Sequence, residues 1–147
     1  MFDFLRKIKL DPEVEKQIVA AIANAEKDTR AELRVHLSKK IRKSALEDAT
    51  HVFKKLGMHK TELRSGILIY VIPSEQQFAI LGDVGIHEKV THEFWDSVSQ
   101  KMTEGFATGN IENGIITGIQ LAGEKLKEYY PWHGQNPNEI SNEISRG

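Results

Sequence analysis

Apolar and polar positions fall into short periodic blocks along this chain. Asp11-Pro12-Glu13 reads as a helix start, with Asp11 as N-cap and Pro12 in the first turn. Val14, Ile18, Ile22 and Ala25 then repeat at helical spacing to about Asp28. Ala31, Leu33, Val35 and Leu37 alternate with Glu32, Arg34 and His36, which predicts a strand with one apolar face. Ser44 and Glu47 form a capping box before Ala45, Ala49, Val52, Phe53 and Leu56, and Gly57 closes that helix. The run Gly66 to Ile72 is apolar on both faces, as a strand covered on both sides should be. Pro73 to Gln76 reads as a turn, and Gln77 to Leu81 as a second apolar strand closed by Gly82-Asp83.

The short link makes 66–72 and 77–81 an antiparallel hairpin. The strand at 31–37 reaches 66–72 through a helix, so those two should be parallel with a right-handed crossover. Two more helices follow. One carries Val90, Phe94, Trp95, Val98 and Met102; the other starts near Asn110 and carries Ile111, Ile115, Ile119, Ala122 and Leu126. Gly114, Gly118 and Gly123 lower helix propensity there, which points to close packing on a neighbouring helix. A membrane Gly-x-x-x-Gly reading needs a long apolar helix, and none is present. The pattern is that of one α/β domain over 11–130, with an amphipathic segment over 1–10 and a polar, flexible tail over 131–147.

Composition narrows the function classes. A chain of 147 residues, 39% hydrophobic and 28% charged, is one ordinary globular domain with enough length for a real core. Net charge is −1, so no global field draws the protein to nucleic acid or anionic membranes. With no cysteine, disulfides and thiolate metal sites are excluded, which fits a reducing compartment. No apolar stretch reaches the roughly 18 residues of a spanning helix. Met1 to Leu10 has no continuous apolar run and no small-residue cleavage site, so it is not read as a secretory signal. It alternates Phe2, Phe4, Leu5, Ile8 and Leu10 with Arg6, Lys7 and Lys9. Packing on the protein's own core is the expectation there, with contact to a membrane surface through 2–10 as the competing one. The expected location is cytoplasmic.

Several sharp motifs fail. His87-Glu88 is followed by His92, a spacing that does not put two imidazoles on one helix face. There is no nucleophile elbow, P-loop or Gly-x-Gly-x-x-Gly, and Gly82-x-x-Gly85 reads as a turn. Lys39, Lys40, Arg42 and Lys43 form a small basic run in a loop, without the interleaved aromatics of a nucleic-acid surface. Topology offers more. The hairpin sets Asp83 opposite the start of the middle strand, near Arg64, Ser65 and Gly66, and the parallel pairing brings the start of the first strand to the same edge. Asp28, Thr29, Arg30 and Glu32 should therefore gather near Asp83 and Arg64. Three carboxylates from separate segments could hold a hard divalent cation, Ca²⁺ or Mg²⁺, or perform acid–base or metal-assisted hydrolysis. They could equally trim a sheet edge with ordinary salt bridges.

Blocks along the chain also match a known pattern. They are Ile22-x-x-Ala25-Glu26-x-x-Thr29-x-x-Glu32-Leu33-x-Val35, Ala49-x-x-x-Phe53-x-x-Leu56-Gly57-Met58, Thr61-x-x-Arg64-Ser65-Gly66-Ile67-Leu68-Ile69-Tyr70-Val71 and Phe78-Ala79-Ile80-x-Gly82-Asp83-x-Gly85-Ile86. Trp95, Met102, Phe106 and Gly114-Ile115-x-x-Gly118-Ile119 complete it. In these the chain resembles the TPM domain family, which occurs in bacterial envelope proteins and in a thylakoid lumen protein described as an acid phosphatase. The resemblance implies a three-layer α/β/α sandwich, with a short mixed sheet and about four helices, and a divalent-ion site in an acidic cleft. Motif matching carries over Asp83 and Glu32, with Arg64 beside them; Asp28 is placed by topology alone. Many members have a signal peptide before the domain and a membrane helix or low-complexity tail after it, which this sequence does not show.

Two functions are compatible with these readings. One is an accessory or interaction module that holds Ca²⁺ or Mg²⁺ at Asp83, Glu32 and Asp28 and engages a protein partner. The other is a phosphatase-like hydrolase of phosphomonoesters, with Asp83 as nucleophile or metal ligand and Arg64 on a phosphate oxygen. Position 85 is Gly, so the second Asp of an aspartyl-nucleophile signature is missing.

Overall fold

The computed structural model describes residues 11–132 and 140–147. The amphipathic segment over 1–10 lies outside the described residues. Helix α1 (Pro12–Glu26) starts as its sequence predicts, with the Asp11 carboxylate accepting from Glu13 N at 2.8 Å. Strand β1 is Glu32–Leu37, and α2 is Ala45–Lys55, capped by the Ser44 hydroxyl, which accepts from Glu47 N at 3.0 Å. Gly57 follows at φ 71°, the left-handed turn that releases the chain from α2. Strand β2 (Gly66–Ile72) is buried at every position. A hairpin leads to β3 (Gln77–Gly82), then α3 (Val84–Lys89), α4 (His92–Ala107) and α5 (Ile111–Tyr129).

The sheet order is β3-β2-β1-β4, where β4 is Ser145–Arg146. Strands β1 and β2 run parallel in the register Glu32↔Gly66 to Leu37↔Val71, and β2 and β3 run antiparallel from Ile67↔Gly82 to Ile72↔Gln77. Helices flank both faces, so the domain is an α/β/α sandwich with a mixed sheet. On one face Ile18, Ile22, Ile115, Ile119, Met102 and Phe106 from α1, α4 and α5 pack on Leu33, Val35, Ile67 and Ile69. On the other, Ala49 and Phe53 of α2 cover Leu68, Tyr70 and Ile72. The close approach read from the α5 glycines is present: a Cβ on Gly105 would lie 2.4 Å from Gly114 Cα, across the α4–α5 crossing. No helix among the described residues is long and apolar enough to cross a membrane.

Three details differ from the sequence reading. The C-terminal segment is not a loose tail over its described part. Ile140 and Ile144 are buried, and Ser145–Arg146 pair with His36 and Leu37 at the free edge of β1. The polar face of strand β1 is mostly covered: Glu32 and His36 are buried and Arg34 is half-buried, with the returning segment at Ile140 and Ser145 against that side. The turn after Gly82 is a short helix, α3, started by Asp83.

Candidate functional site

The family-like blocks around β2 are local solutions to one problem, joining the entry of β2 to the exit of β3. Asp83 donates its backbone N–H to Gly66 O at 2.9 Å, extending the hairpin ladder past β3. It then caps α3, its carboxylate accepting from Val84 N at 2.8 Å. Thr61 Oγ1 accepts from Ser65 N at 3.1 Å and shapes the turn before β2. Within that turn Arg64 sits at φ 52°, the left-handed region, which costs a non-glycine residue conformational energy. The Arg64 carbonyl accepts from Gly85 N at 3.0 Å. Only glycine fits at 85, because a Cβ there would come 2.3 Å from Leu63 O and 2.6 Å from Arg64 O. The Tyr130 hydroxyl donates to the Gly85 carbonyl from the end of α5.

The Arg64 guanidinium closes this junction. Its Nε and Nη2 donate to the two oxygens of Asp83 at 2.6 and 2.8 Å, a bidentate pair. Asp83 is buried, whereas Arg64 is half-exposed. The hydrogen bonds from Arg64 to Asp83 push the guanidinium pKa up, with the nearby negative charge acting in the same direction against burial. Both oxygens of Asp83 are thus engaged, and Oδ1 serves Val84 N as well.

The other predicted ligands lie along the same rim but face elsewhere. Glu32 is paired with Gly66 in the sheet register, two strands over from Asp83. Its side chain enters the α2-side layer, where Oε1 accepts from Ile140 N at 2.9 Å. Asp28 is exposed and pairs with Lys127 at 3.6 Å, and Arg30 lies 3.9 Å from Glu62. The rim therefore brings Asp83 and Arg64 together and leaves Glu32 and Asp28 apart. Among the described residues no group of three or more His, Cys, Asp or Glu side chains is arranged to hold a metal ion. As arranged, this donor set does not fit Ca²⁺ or Mg²⁺, which take six or more oxygens. The histidines noted in the sequence stand separately: His92 pairs with Asp96 on the surface of α4, and His87 lies against Trp95.

Sequence reasoning passed over two features. Glu26, at the end of α1, is buried and accepts from Leu33 N through Oε2 at 2.7 Å. Burial pushes its pKa up to about 8; the Glu32 charge adds to the rise and the Leu33 bond opposes it. It follows Ile22 by four residues, on the apolar stripe of α1, and that spacing is a readable signal of a buried carboxyl. The second is a cavity of about 720 Å³ at the opposite end of the sheet from Asp83, between α2 and the last residues of β1 and β4. His36, Tyr70 and Ser145 line it from three neighbouring strands.

A family model for the TPM domain matches residues 9–125. This chain belongs to the TPM domain family. The TPM domain here superposes on the BA42 protein of the psychrophilic bacterium Bizionia argentinensis with a TM-score of 0.91 and 41% identity, over 95% of this chain and 97% of that one. It shares the fold, at 17% identity and a TM-score of 0.68, with the N-terminal domain of a P. gingivalis protein, over 84% of this chain and 82% of that one. The N-terminal domain of the cg2496 protein of Corynebacterium glutamicum is similar at 11% identity and a TM-score of 0.67, over 87% and 84%. No curated protein matches the sequence. The Thr-x-x-Arg-Ser-Gly and Gly-Asp-x-Gly blocks of this TPM domain meet in a single closed junction.

Proposed function

We propose that this TPM domain is a non-enzymatic binding and interaction module. The observation that carries the reading is the engagement of both oxygens of buried Asp83 within the protein. Its two oxygens accept from Arg64 Nε, Arg64 Nη2 and Val84 N. A nucleophilic carboxylate needs a free lone pair aimed at phosphorus, and a phosphate-binding arginine needs free N–H groups. Here buried Asp83 has three of its roughly four acceptor positions filled, and the Nε/Nη2 edge of Arg64 is committed to it, so the pair acts as a clamp between the entry of β2 and the start of α3.

The phosphatase reading is tested by turnover. With p-nitrophenyl phosphate across pH and divalent metals, the purified chain should release no phosphate above background. Turnover that copurifies with the protein and disappears in Asp83→Asn would overturn the proposal. A divalent cation held by Asp83, Glu32 and Asp28 requires this edge to rearrange, with Arg64 leaving Asp83. Calorimetry with Ca²⁺ and Mg²⁺ on wild type and Asp83→Ala, together with the Arg64 Nε–H resonance, decides that point. Heat lost in the variant and a shifted Arg64 signal would support the cation reading at this edge.

A further inference from the structure

The two edges of the sheet differ. At one, Ser145–Arg146 of β4 pair with His36 and Leu37 and close the end of β1. At the other, β3 is the last strand, and no described element pairs with its free side. Its residues are Gln77-Phe78-Ala79-Ile80-Leu81-Gly82, without a charge, a proline or a bulge, the devices that keep an edge from pairing. Phe78 to Leu81 are half-buried. The ladder shows which backbone groups are open. Asp83 N–H donates to Gly66 O, so 83, 81, 79 and 77 exchange hydrogen bonds with 66, 68, 70 and 72. The carbonyls of Ser65 and Val71 turn the other way, accepting from Glu32 N and Ser38 N, in agreement with that alternation. Phe78, Ile80 and Gly82 therefore aim N–H and C=O away from the sheet, and these groups meet no partner among the described residues.

The side chains at this edge sort by face and size. Phe78 and Ile80 belong to the α4 layer, where Phe78 meets Phe106 edge to face. On the same face the Trp95 ring fills the space that a Cβ on Gly82 would take. Ala79 and Leu81 lie on the other face, with Ala49 and Phe53 of α2. Antiparallel pairing of β3 with itself about Ile80 sets Phe78 opposite Gly82 and Ala79 opposite Leu81. That is large against small on both faces, with no like charges opposed. Helix α2 adds to this. It rests over β2 and β3, and the cavity on its β1 side is lined by Glu47, Asp48, His51 and Lys55. Leu46 stands on the opposite flank, towards the free edge, and is 57% exposed. A two-fold axis beside β3 sets two copies of α2 antiparallel. With strands about 4.8 Å apart, the helices lie about 10 Å from each other, a packing distance. The start of α1 is at the far edge of the sheet, where Glu15 engages Arg146 of β4.

We propose that β3 is a self-association edge, on which a second copy of this chain pairs antiparallel about a two-fold axis at Ile80 and joins the two sheets into one. Ile80 exchanges backbone hydrogen bonds with Ile80 of the second copy, and Phe78 with its Gly82. Leu46 of each α2 packs against the helix of the other copy. The main-chain bonds hold the strands together, and the Phe78–Gly82 and Ala79–Leu81 contacts fix the register. Neither the Asp83 carboxylate nor the Arg64 guanidinium takes part, so pairing here is independent of what that rim binds.

The test is sedimentation velocity on the full chain over a concentration series, with amide hydrogen exchange read from ¹H–¹⁵N spectra at the two ends of the series. The mass should rise with concentration from 16.7 kDa towards twice that value. The outward amides of Phe78 and Ile80 should slow as it rises, whereas the inward amides of Ala79 and Leu81 are protected throughout. Leu46→Glu, at an exposed position, should keep the fold and weaken self-association about tenfold or more, the effect of withdrawing one leucine from an interface. Ile80→Pro removes an outward N–H without touching the ladder to β2 and should abolish pairing. A single-chain mass at every concentration would overturn the proposal, whatever other chain the protein binds. So would a dimer unaffected by either variant, or one in which the Phe78 and Ile80 amides exchange as fast as in the monomer. Protection of those two amides at monomeric mass and every dilution would assign the edge to the chain's own residues 1–10, and would overturn it as well.

Discussion

The substitution Glu26→Gln should change the pH dependence of stability in a way that follows from where α1 ends. The carboxyl is buried against Leu33 N, and burial holds its pKa up to about 8 in the folded chain against 4.5 as the ordinary value. The folded state therefore binds a proton that the unfolded chain has released. Below pH 4.5 both states are protonated and the group is neutral in its effect. As pH rises from 4.5 to about 8, the unfolded chain ionises and the folded chain resists, so stability falls by about 1.4 kcal/mol per pH unit. The loss is complete above the folded pKa and amounts to about 5 kcal/mol. Glutamine keeps an acceptor for Leu33 N and does not titrate. Urea denaturation from pH 4.5 to 9 should show wild type and Glu26→Gln converging at the acid end. They should diverge in the variant's favour towards alkaline pH, with unchanged m-values. A difference that stays constant across that range would refute the argument, because it would mean that Glu26 is ionised in the folded protein throughout.

The Arg64–Asp83 clamp predicts that Asp83→Ala lowers stability by at least the ~1 kcal/mol of a lost N-cap, read by chemical denaturation, and loosens the amides of 84–89 in hydrogen exchange. Gly105→Ala places a Cβ 2.4 Å from Gly114 Cα and should cost about 1–3 kcal/mol as α4 and α5 are forced apart. Gln76 sits at φ 51° in the exposed hairpin turn, so Gln76→Gly should raise stability in urea denaturation by about 0.5 kcal/mol, net of the entropy that glycine adds to the unfolded chain.

Elements whose pattern was set by one dominant force were legible. Strand β2 reads correctly to the residue because every position is apolar, and a two-sided burial leaves no other solution. The caps at Asp11 and Ser44 follow from side-chain oxygens placed before helical spacing. Pairing both strands to β2 put the backbones of Glu32, Gly66 and Asp83 at one rim, as found. Side-chain destinations at that rim were not legible. Glu32 alternates with apolar neighbours as a solvent-facing residue would, yet a segment more than a hundred residues later covers it. β4 has two residues, too few for any periodicity, and α3 is one and a half turns that contain a glycine. The cavity draws on loops, α2 and β4 together, so no local spacing announces it.

The contact between Glu32 and Ile140, and the pairing of His36 with Ser145, have a consequence for synthesis. Both span more than a hundred residues. Thr29 likewise lies within 2.6 Å of Tyr130 O, at the far end of α5. A ribosome delivers β1 more than a hundred residues before these neighbours. Until residues beyond 139 emerge, β1 offers an open edge and a buried carboxyl without its amide donor, the kind of surface that nascent-chain chaperones cover. Completion of this edge of β1 thus waits on residues 140–146, and a chain lacking them leaves Glu32 and the end of β1 uncovered.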